Sequence, residues 1–486
     1  SIVSKNINHK IVINEPSLKY FNGDEVEFFI SKRKRKGKYL ATIEKLLNRE
    51  KNSYVGNIQI NENFAFAILD EKKIHVDVFI PRENIKKAQD GDKVIVEILN
   101  WRKNDLSPIG RVIEILGKPG DHETEIKTII KQNELPLKFP NHVEEYAKNI
   151  NKKISSKEIE KRRDVREILT FTIDPEDAKD FDDAISFRET GKNIYEIGIH
   201  IADVGHYVEK NSILDKEALN RATSIYLVDR VVPMLPEILS NNVCSLRPQE
   251  EKYTFSAIFN INNKGEILEE WFGKSAIKSN RRFSYAEAQE IIETRKGKIR
   301  KEIALKKKEY KVKEEMVKAI LILNEIATTL RKERKRQGSI NFNKKEITFK
   351  LDKKKNPIEV IFKESKEANK LIEEFMLLAN KKVAELFKKL KKEPSVYRIH
   401  DAPDKEKLKA LKTIVKEFGY SLDISSREGT SRTLNKLLVE VKGTKEQNLI
   451  ETLAIRSMSK AEYSTQNIGH YGLGFKDYTH FTSPIR

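Results

Sequence analysis

The chain has 486 residues and a formal net charge of +19, from 93 Lys and Arg against 74 Asp and Glu. That length is too great for one small core and is enough for about two to four domains. Its hydrophobic content of 38% is that of a soluble globular protein, and apolar runs such as "AILIL" at 319–323 fall far short of the roughly 20 residues that span a bilayer. The opening "SIVSKNINHK" has no charged segment leading into an apolar stretch, so no secretory signal is expected, and its lack of Met points to a trimmed start. A single cysteine, Cys244, excludes an intramolecular disulfide and a multi-cysteine zinc cage, and fits a reducing, cytoplasmic location. The basic balance favours a polyanionic partner, nucleic acid before anionic membrane. The basic runs "SKRKRKGK" (31–38), "RKERKRQG" (331–338) and "KKLKKE" (388–393), each taken alone, read better as solvated surface than as specific contact.

Two stretches near the start read alike. "NGDEVEFFI" (22–30) precedes a basic loop and "YLATIEKLL" (39–47); "DGDKVIVEIL" (90–99) precedes a polar loop and "IGRVIEIL" (109–116). Gly-Asp, an alternating strand, a loop and another strand predict small antiparallel barrels. The expected barrels cover 1–50, incomplete at its start, and 51–118. Between the repeats, "FAFAILDEKKIHVDVFIP" (64–81) resembles the nucleic-acid-binding strands of cold-shock domains, whose aromatics stack on bases. OB-type barrels of this kind bind single strands with little sequence preference. Alternation alone leaves open which of Phe64, Phe66 and Phe79 point into the core. A polar, helix-prone connector is expected over 119–160.

From 161 to 486 strand and helix patterns mix. "IYEIGIHIADVGHYV" (194–208) reads as a strand and turn, and Ser284 and Glu287 in "SYAE" form a capping-box pattern. A charged helical stretch with a break leads to Gly338, and "KLIEEFMLLANKKVAELFKKL" (370–390) is an amphipathic helix.

Chemistry concentrates in "FTIDPEDAKDFDDAISF" (171–187), where Asp174, Asp180, Asp182 and Asp183 fall between apolar runs. Carboxylates this close raise one another's pKa unless a cation neutralises them. Oxygen-only ligands call for a hard ion, Mg²⁺, with Mn²⁺ as its alternative. An EF-hand count from Asp180 puts Ile185 where the loop needs Gly. Pro175 turns the chain so that Asp174 can approach Asp182 and Asp183. No Walker A loop, HExxH or GxSxG occurs, so phosphodiester hydrolysis is the simplest reading.

"IDPEDAKDFDDAI" is similar to the signature of the RNB family of exoribonucleases, the ribonuclease R and ribonuclease II type, with the ribonuclease R branch nearer. The similarity continues in order through "IHIADVGHYV" (199–208), "RATSIYLVDRVVPMLPEILSNNVCSL" (221–246), "IEEFMLLAN" (372–380), "YRIHDAPD" (397–404) and "GHYGLGFKDYTHFTSPIR" (469–486). The resemblance implies tandem cold-shock barrels before a mixed α+β catalytic domain. It also implies processive, Mg²⁺-dependent 3′→5′ hydrolysis of RNA to nucleoside 5′-monophosphates, in RNA degradation and processing. Asp174 and Asp183 would be metal ligands, Asp180 would help hold a second metal or its waters, and Asp182 would be the carboxylate most needed for cleavage. Tyr226 would stack on the terminal nucleotide, with Phe342 the opposing stacker. Glu373 or Glu374 would contact base or ribose, and Arg486 the scissile phosphate.

His200 and His206 flank Asp203, but with no third nitrogen or sulfur ligand nearby they read as structural or RNA-contacting rather than zinc-binding. Cys244 matches a buried family cysteine. The implied partner is single-stranded RNA threaded by its 3′ end, with no membrane and no obligate protein partner. In relatives the block at "SPIR" continues, so the end of the catalytic domain and a C-terminal RNA-binding barrel are expected to be missing. The competing reading is a catalytically silent single-stranded RNA-binding protein, against which stands the complete set of four aspartates.

Overall fold

The computed structural model describes residues 2–4, 7–13, 19–35, 38–101, 105–342, 346–353, 355–390 and 395–483. They form two compact units, Ser1–Lys138 with Leu351–Ile358, and Phe139–Lys350 with Glu359–Arg486.

The first unit opens with β1 (Ile2–Ser4), β2 (Ile7–Ile13), β3 (Glu25–Arg35) and β4 (Lys38–Asn48), a four-stranded sheet in the order β1-β2-β4-β3. Among the described residues this sheet is not closed. The next five strands do close into a barrel: β5 (Ser53–Ile60), β6 (Phe64–Leu69), β7 (Val78–Pro81), β8 (Lys93–Asn100) and β9 (Ile109–Gly117). Its interior holds Ile58, Ala65, Ala67, Val78, Ile80, Val94, Val96 and Val112. Because side chains alternate across a strand, Ala65 and Ala67 inside put Phe64 and Phe66 outside, and Val78 and Ile80 do the same for Phe79. Helix α1 (His122–Gln132) follows, its Ile126 and Ile130 buried.

The second unit begins with α2 (Asn141–Lys148) and α3 (Ser156–Ile159), so the connector is helical as its composition predicts. Then come β10 (Arg163–Asp164), β11 (Thr170–Asp174), β12 (Asp183–Gly191), β13 (Ile194–Ala202), α4 (Val204–Tyr207), α5 (Ile213–Arg221) and the short β14 (Ile225–Tyr226) and β15 (Val231–Val232). Strands β16 (Glu251–Asn262), β17 (Ile267–Lys278) and β18 (Arg281–Ser284) complete a seven-stranded sheet, ordered β10-β17-β16-β13-β12-β11-β18. Helix α6 (Tyr285–Thr294) carries the expected capping box between Ser284 and Glu287. The chain then breaks into the β19 (Lys298–Ile299) and β20 (Tyr310–Lys311) pair before α7 (Glu314–Arg336). Gly297 lies where any Cβ would meet the Val312 carbonyl at 2.6 Å, so this close approach demands glycine. After β21 (Glu346–Leu351) and β22 (Pro357–Lys363) comes α8 (Glu367–Leu390), then β23 (Tyr397–His400), α9 (Lys405–Glu417), α10 (Arg427–Glu440), α11 (Gln447–Ser457) and β24 (Ala461–Ser464). Among the described residues no helix is long and apolar enough to cross a membrane.

Both faces of the large sheet are covered. One packs Ile197, Ile199 and Ile201 of β13 with Phe171 and Phe283 against Ile291, Ile320, Leu323, Leu371 and Phe375 of α6, α7 and α8. Each such large side chain contributes roughly 1.5–3 kcal/mol by leaving water. The other face sets Ala184, Ala202, Ile258 and Ile277 against Val143, Leu214, Leu239 and Val243.

Within that second face runs a buried polar chain. His200 lies fully buried between the hydroxyls of Ser256 (2.6 Å from Nδ1) and Ser186 (2.8 Å from Nε2). Ser256 in turn meets Ser275 at 2.5 Å, and Ser275 meets Thr254 at 2.6 Å. His200 is therefore a structural histidine. Burial lowers its pKa from 6.5 to about 3. Between those values the unfolded chain takes up a proton that the folded chain refuses, so stability falls as pH drops from 6.5 towards 3. His200→Gln, which keeps polar contacts but does not titrate, should show a shallower decline than wild type in thermal melts across that interval.

Candidate active site

Strand β11 runs through the core with all five residues buried and delivers Asp174 at its end. It pairs in parallel with β18, placing Asp174 beside Ser284 and Thr172 beside Arg282. Its antiparallel ladder with β12 stops after Thr170↔Ser186 and Phe171↔Ile185, so the strands part where the acidic segment begins. Asp183 opens β12 opposite Ile201 of β13, and Asp182 is tied in by its carbonyl, which accepts from Ala202 N–H at 3.0 Å.

Asp174 is only 7% exposed, and its Oδ2 is buried with no hydrogen-bond partner. Burial raises its pKa to about 7, and the charges of Asp182 and Asp180 push the same way. The Thr172 hydroxyl and the Arg282 guanidinium pull it down without cancelling the rise. A buried carboxylate left in this condition costs stability unless a cation joins it. Among the described residues no three His, Cys, Asp or Glu side chains converge into a ready-made cage. Mg²⁺ requires none, since it keeps several waters and binds through one or two carboxylates. The orphaned oxygen of Asp174 and the charge of Asp180 and Asp182 beside it fit such an ion.

The loop between the carboxylates is held through its main chain. Arg282 Nη2 donates to the carbonyls of Pro175 (2.7 Å) and Glu176 (2.8 Å), and its guanidinium covers the Phe181 ring at 4.7 Å. Phe181 is itself buried in the apolar cluster of the second face. Ser245 takes the other end: its Oγ accepts from Phe181 N–H at 3.1 Å and donates to the Lys179 carbonyl at 3.0 Å. Neither Arg282 nor Ser245 is singled out by sequence. The available signals are weak ones, the seryl neighbour of Cys244 in "NNVCSL" and the arginine pair ahead of the capping box.

Tyr226 stands on the β14–β15 hairpin, 54% exposed, and its hydroxyl points to Asp180 Oδ2 at 3.5 Å. Glu374 on α8 is 3% exposed and ion-paired to Arg334 at 2.5 Å, while Glu373, half-exposed, lies 3.6 Å from the same arginine. Partial burial pushes the Glu373 carboxyl above its usual range. Phe342 packs half-buried on the apolar cluster of α9, α10 and α11. Arg486 lies outside the described residues. His206 packs on Tyr207 and Tyr253 beside Arg162, which is ion-paired to Asp203 at 2.7 Å, and Cys244 is buried.

In the first unit Phe64, Phe66 and Phe79 form a triad on the outer barrel wall, ring centroids 5.6–5.7 Å apart.

Against known proteins, the RNB domain matches residues 162–486 and a cold shock domain matches residues 66–140. The chain belongs to the RNB family. It is 36% identical over 454 residues to Ribonuclease R of Thermotoga maritima, covering 93% of this chain and 61% of that protein. To Ribonuclease R of Aquifex aeolicus it is 34% identical over 469 residues, covering 96% and 64%. The chain thus spans less than two thirds of the length of these relatives. Among solved structures, Mycoplasma genitalium RNase R in complex with ribose methylated single-stranded RNA superposes with a TM-score of 0.85 at 28% identity, covering 96% of this chain and 72% of that one. Yeast Ssd1, a pseudonuclease, shares the fold at 21% identity with a TM-score of 0.66, covering 95% and 56%.

Asp174→Asn removes a buried charge while keeping its shape. The metal-free variant should melt no lower than wild type, and by up to a few degrees higher. The stabilisation that wild type gains from millimolar Mg²⁺ or Mn²⁺ should be lost. Thermal melts with and without the ions check both.

Proposed function

We propose that this protein is a hydrolytic 3′→5′ exoribonuclease, dependent on Mg²⁺, that releases nucleoside 5′-monophosphates from single-stranded RNA. The observation that carries this reading is the buried carboxylate of Asp174, whose Oδ2 has no hydrogen-bond partner, with the charges of Asp180 and Asp182 acting on it, inside an RNB domain. When bound, the divalent ion supplies a polarised phosphate and an activated water. Asp174, Asp180, Asp182 and Asp183 would hold it, directly or through its waters. Tyr226, exposed and aimed at Asp180, offers its ring to the last nucleotide and fixes where the 3′ end stops. Glu373, the more exposed of the two glutamates, is the better placed to meet a ribose or base, since Glu374 is committed to Arg334. Phe342 and Arg486 are assigned to stacking and to the scissile phosphate on the strength of their family motifs.

The aromatic triad on the barrel wall is an RNA-binding surface in this reading. Partly exposed rings accept any base, which suits a sequence-tolerant grip on single strands. The two relatives named Ribonuclease R, and the RNA-bound RNase R neighbour, support RNA as the polymer. The first four-stranded sheet and the barrel after it are assigned to about 1–50 and 51–118, the connector to 119–160, and the catalytic domain to 161 onwards. The single buried cysteine suits a reducing compartment, the cytoplasm.

The test is a 5′-labelled single-stranded RNA incubated with the protein in Mg²⁺ and in EDTA, products resolved by length. Loss of full-length RNA to a short labelled remnant in Mg²⁺ alone supports the proposal. Intact RNA with a retarded complex under both conditions would replace it by the silent RNA-binding reading, of which pseudonuclease Ssd1 is a precedent in fold.

Asp182→Asn should reduce cleavage by roughly a hundredfold or more and leave RNA binding within about twofold, checked by the same gel and by fluorescence anisotropy. Phe66→Ala should weaken single-stranded RNA binding by about 1–3 kcal/mol per stacked base lost without lowering the cleavage of bound RNA, which filter binding and single-turnover kinetics separate. Affinity should also fall linearly in log–log with salt; a flat salt titration would remove phosphate tracking from the account.

A further inference from the structure

The block "EILSNNVCSL" (237–246) takes no part in the chemistry above, yet one of its residues bears on the acidic loop. We propose that Ser245 is the positioning residue that fixes Asp180 for the metal, a role that rests on the metal-site reading above.

The Ser245 hydroxyl accepts from Phe181 N–H and donates to the Lys179 carbonyl, and Leu246 N–H donates to the Phe181 carbonyl at 2.9 Å. Asp180 is the residue straddled by these bonds. Both peptide groups that flank it are therefore tied to one serine, whose hydroxyl donates and accepts at once from a single atom. Ser245 is fully buried, so no water can take over either bond without reorganising the core. The Asp180 side chain leaves this clip towards the Tyr226 hydroxyl.

The mount for Ser245 is equally specific. Residues Leu239–Val243 form a wide π-helical turn, closed by Cys244 N–H donating to the Leu239 carbonyl at 2.9 Å. Such turns are rare and concentrate at functional sites. Here the extra residue in the turn sets the direction in which Ser245 leaves it. Lys252 Nζ, 7% exposed as a residue, seals the turn by donating to the carbonyls of Asn242 (2.7 Å) and Val243 (3.3 Å). Leu239, Val243 and Cys244 anchor it in the apolar cluster that also buries Phe181. Turn and acidic loop thus share one core, with Ser245 as their polar joint. A ligand group held through backbone bonds from a rigid neighbour keeps its geometry to within a fraction of an ångström, which metal and substrate sites require.

The test compares wild type, Ser245→Ala and Ser245→Thr in the 486-residue chain. Ser245→Thr keeps the hydroxyl and serves as the conservative variant. In metal-free protein, amide hydrogen exchange over 179–183 should speed up at least tenfold in Ser245→Ala relative to wild type, with Ser245→Thr between them. Mn²⁺ affinity, read by the free-ion signal in electron paramagnetic resonance, should weaken about tenfold in Ser245→Ala. The Mg²⁺ concentration for half-maximal cleavage should rise by a similar factor, while single-stranded RNA affinity stays unchanged.

A merely structural serine would lower the melting temperature and leave local exchange and metal affinity as in wild type, and that result overturns the proposal. Wild type that neither binds Mn²⁺ nor cleaves RNA would overturn the proposed function and with it the metal-positioning role. Unchanged exchange at 179–183 in Ser245→Ala, with wild type binding Mn²⁺ normally, would overturn the Ser245 proposal alone.

Discussion

A carboxylate at the end of a fully buried strand is the constraint around which the second unit is arranged. Asp174 cannot move to water, because the four residues before it on β11 are core, and its neighbour Ser284 begins the capped helix α6. Asp182 and Asp180 add like charge. A site of this kind survives only on a scaffold with stability to spare. That surplus comes from a seven-stranded sheet covered on both faces. Glu287 adds a rigid corner, its carboxylate accepting from Ser284 N–H, Leu305 N–H and the Tyr310 hydroxyl.

The polar and apolar halves of that scaffold have different duties. Towards α6, α7 and α8 the sheet is almost purely aliphatic and aromatic, a packing that resists deformation. The opposite face mixes apolar residues with the His200–serine chain and carries the segments that reach the acidic loop. Hydrogen bonds are directional where packing is not, so the face that must place atoms is the one with polar contacts.

How much of this was legible in the sequence depended on whether a residue acts through its side chain locally or through another segment's backbone. Asp174, Asp180, Asp182 and Asp183 stood out because crowded charge between apolar runs has few structural explanations. The capping box at Ser284 and the helix over 370–390 followed from local pattern, and both are present. Phe64, Phe66 and Phe79 were ambiguous because "FAFA" offers two apolar faces; the barrel decides by taking the small alanines inward. The first sheet, expected to be a barrel incomplete at its start, has four strands and no closure among the described residues. Ser245 and Arg282 were invisible for a different reason. Each meets the acidic loop from more than sixty positions away along the chain and touches only main-chain groups and a ring there, leaving no complementary residue type to notice.

Main-chain anchoring bears on how the loop can vary. Arg282 and Ser245 grip Pro175, Glu176, Lys179 and Phe181 by carbonyl and amide groups, which every substitution at Glu176 or Lys179 preserves. Shape is thereby decoupled from the identity of the intervening side chains. A change at Glu176 gives up its ion pair with Lys307, and a change at Lys179 alters the local charge, yet neither removes the main-chain bonds that hold the loop between the carboxylates. The loop behaves as a fixed bracket with exchangeable fittings.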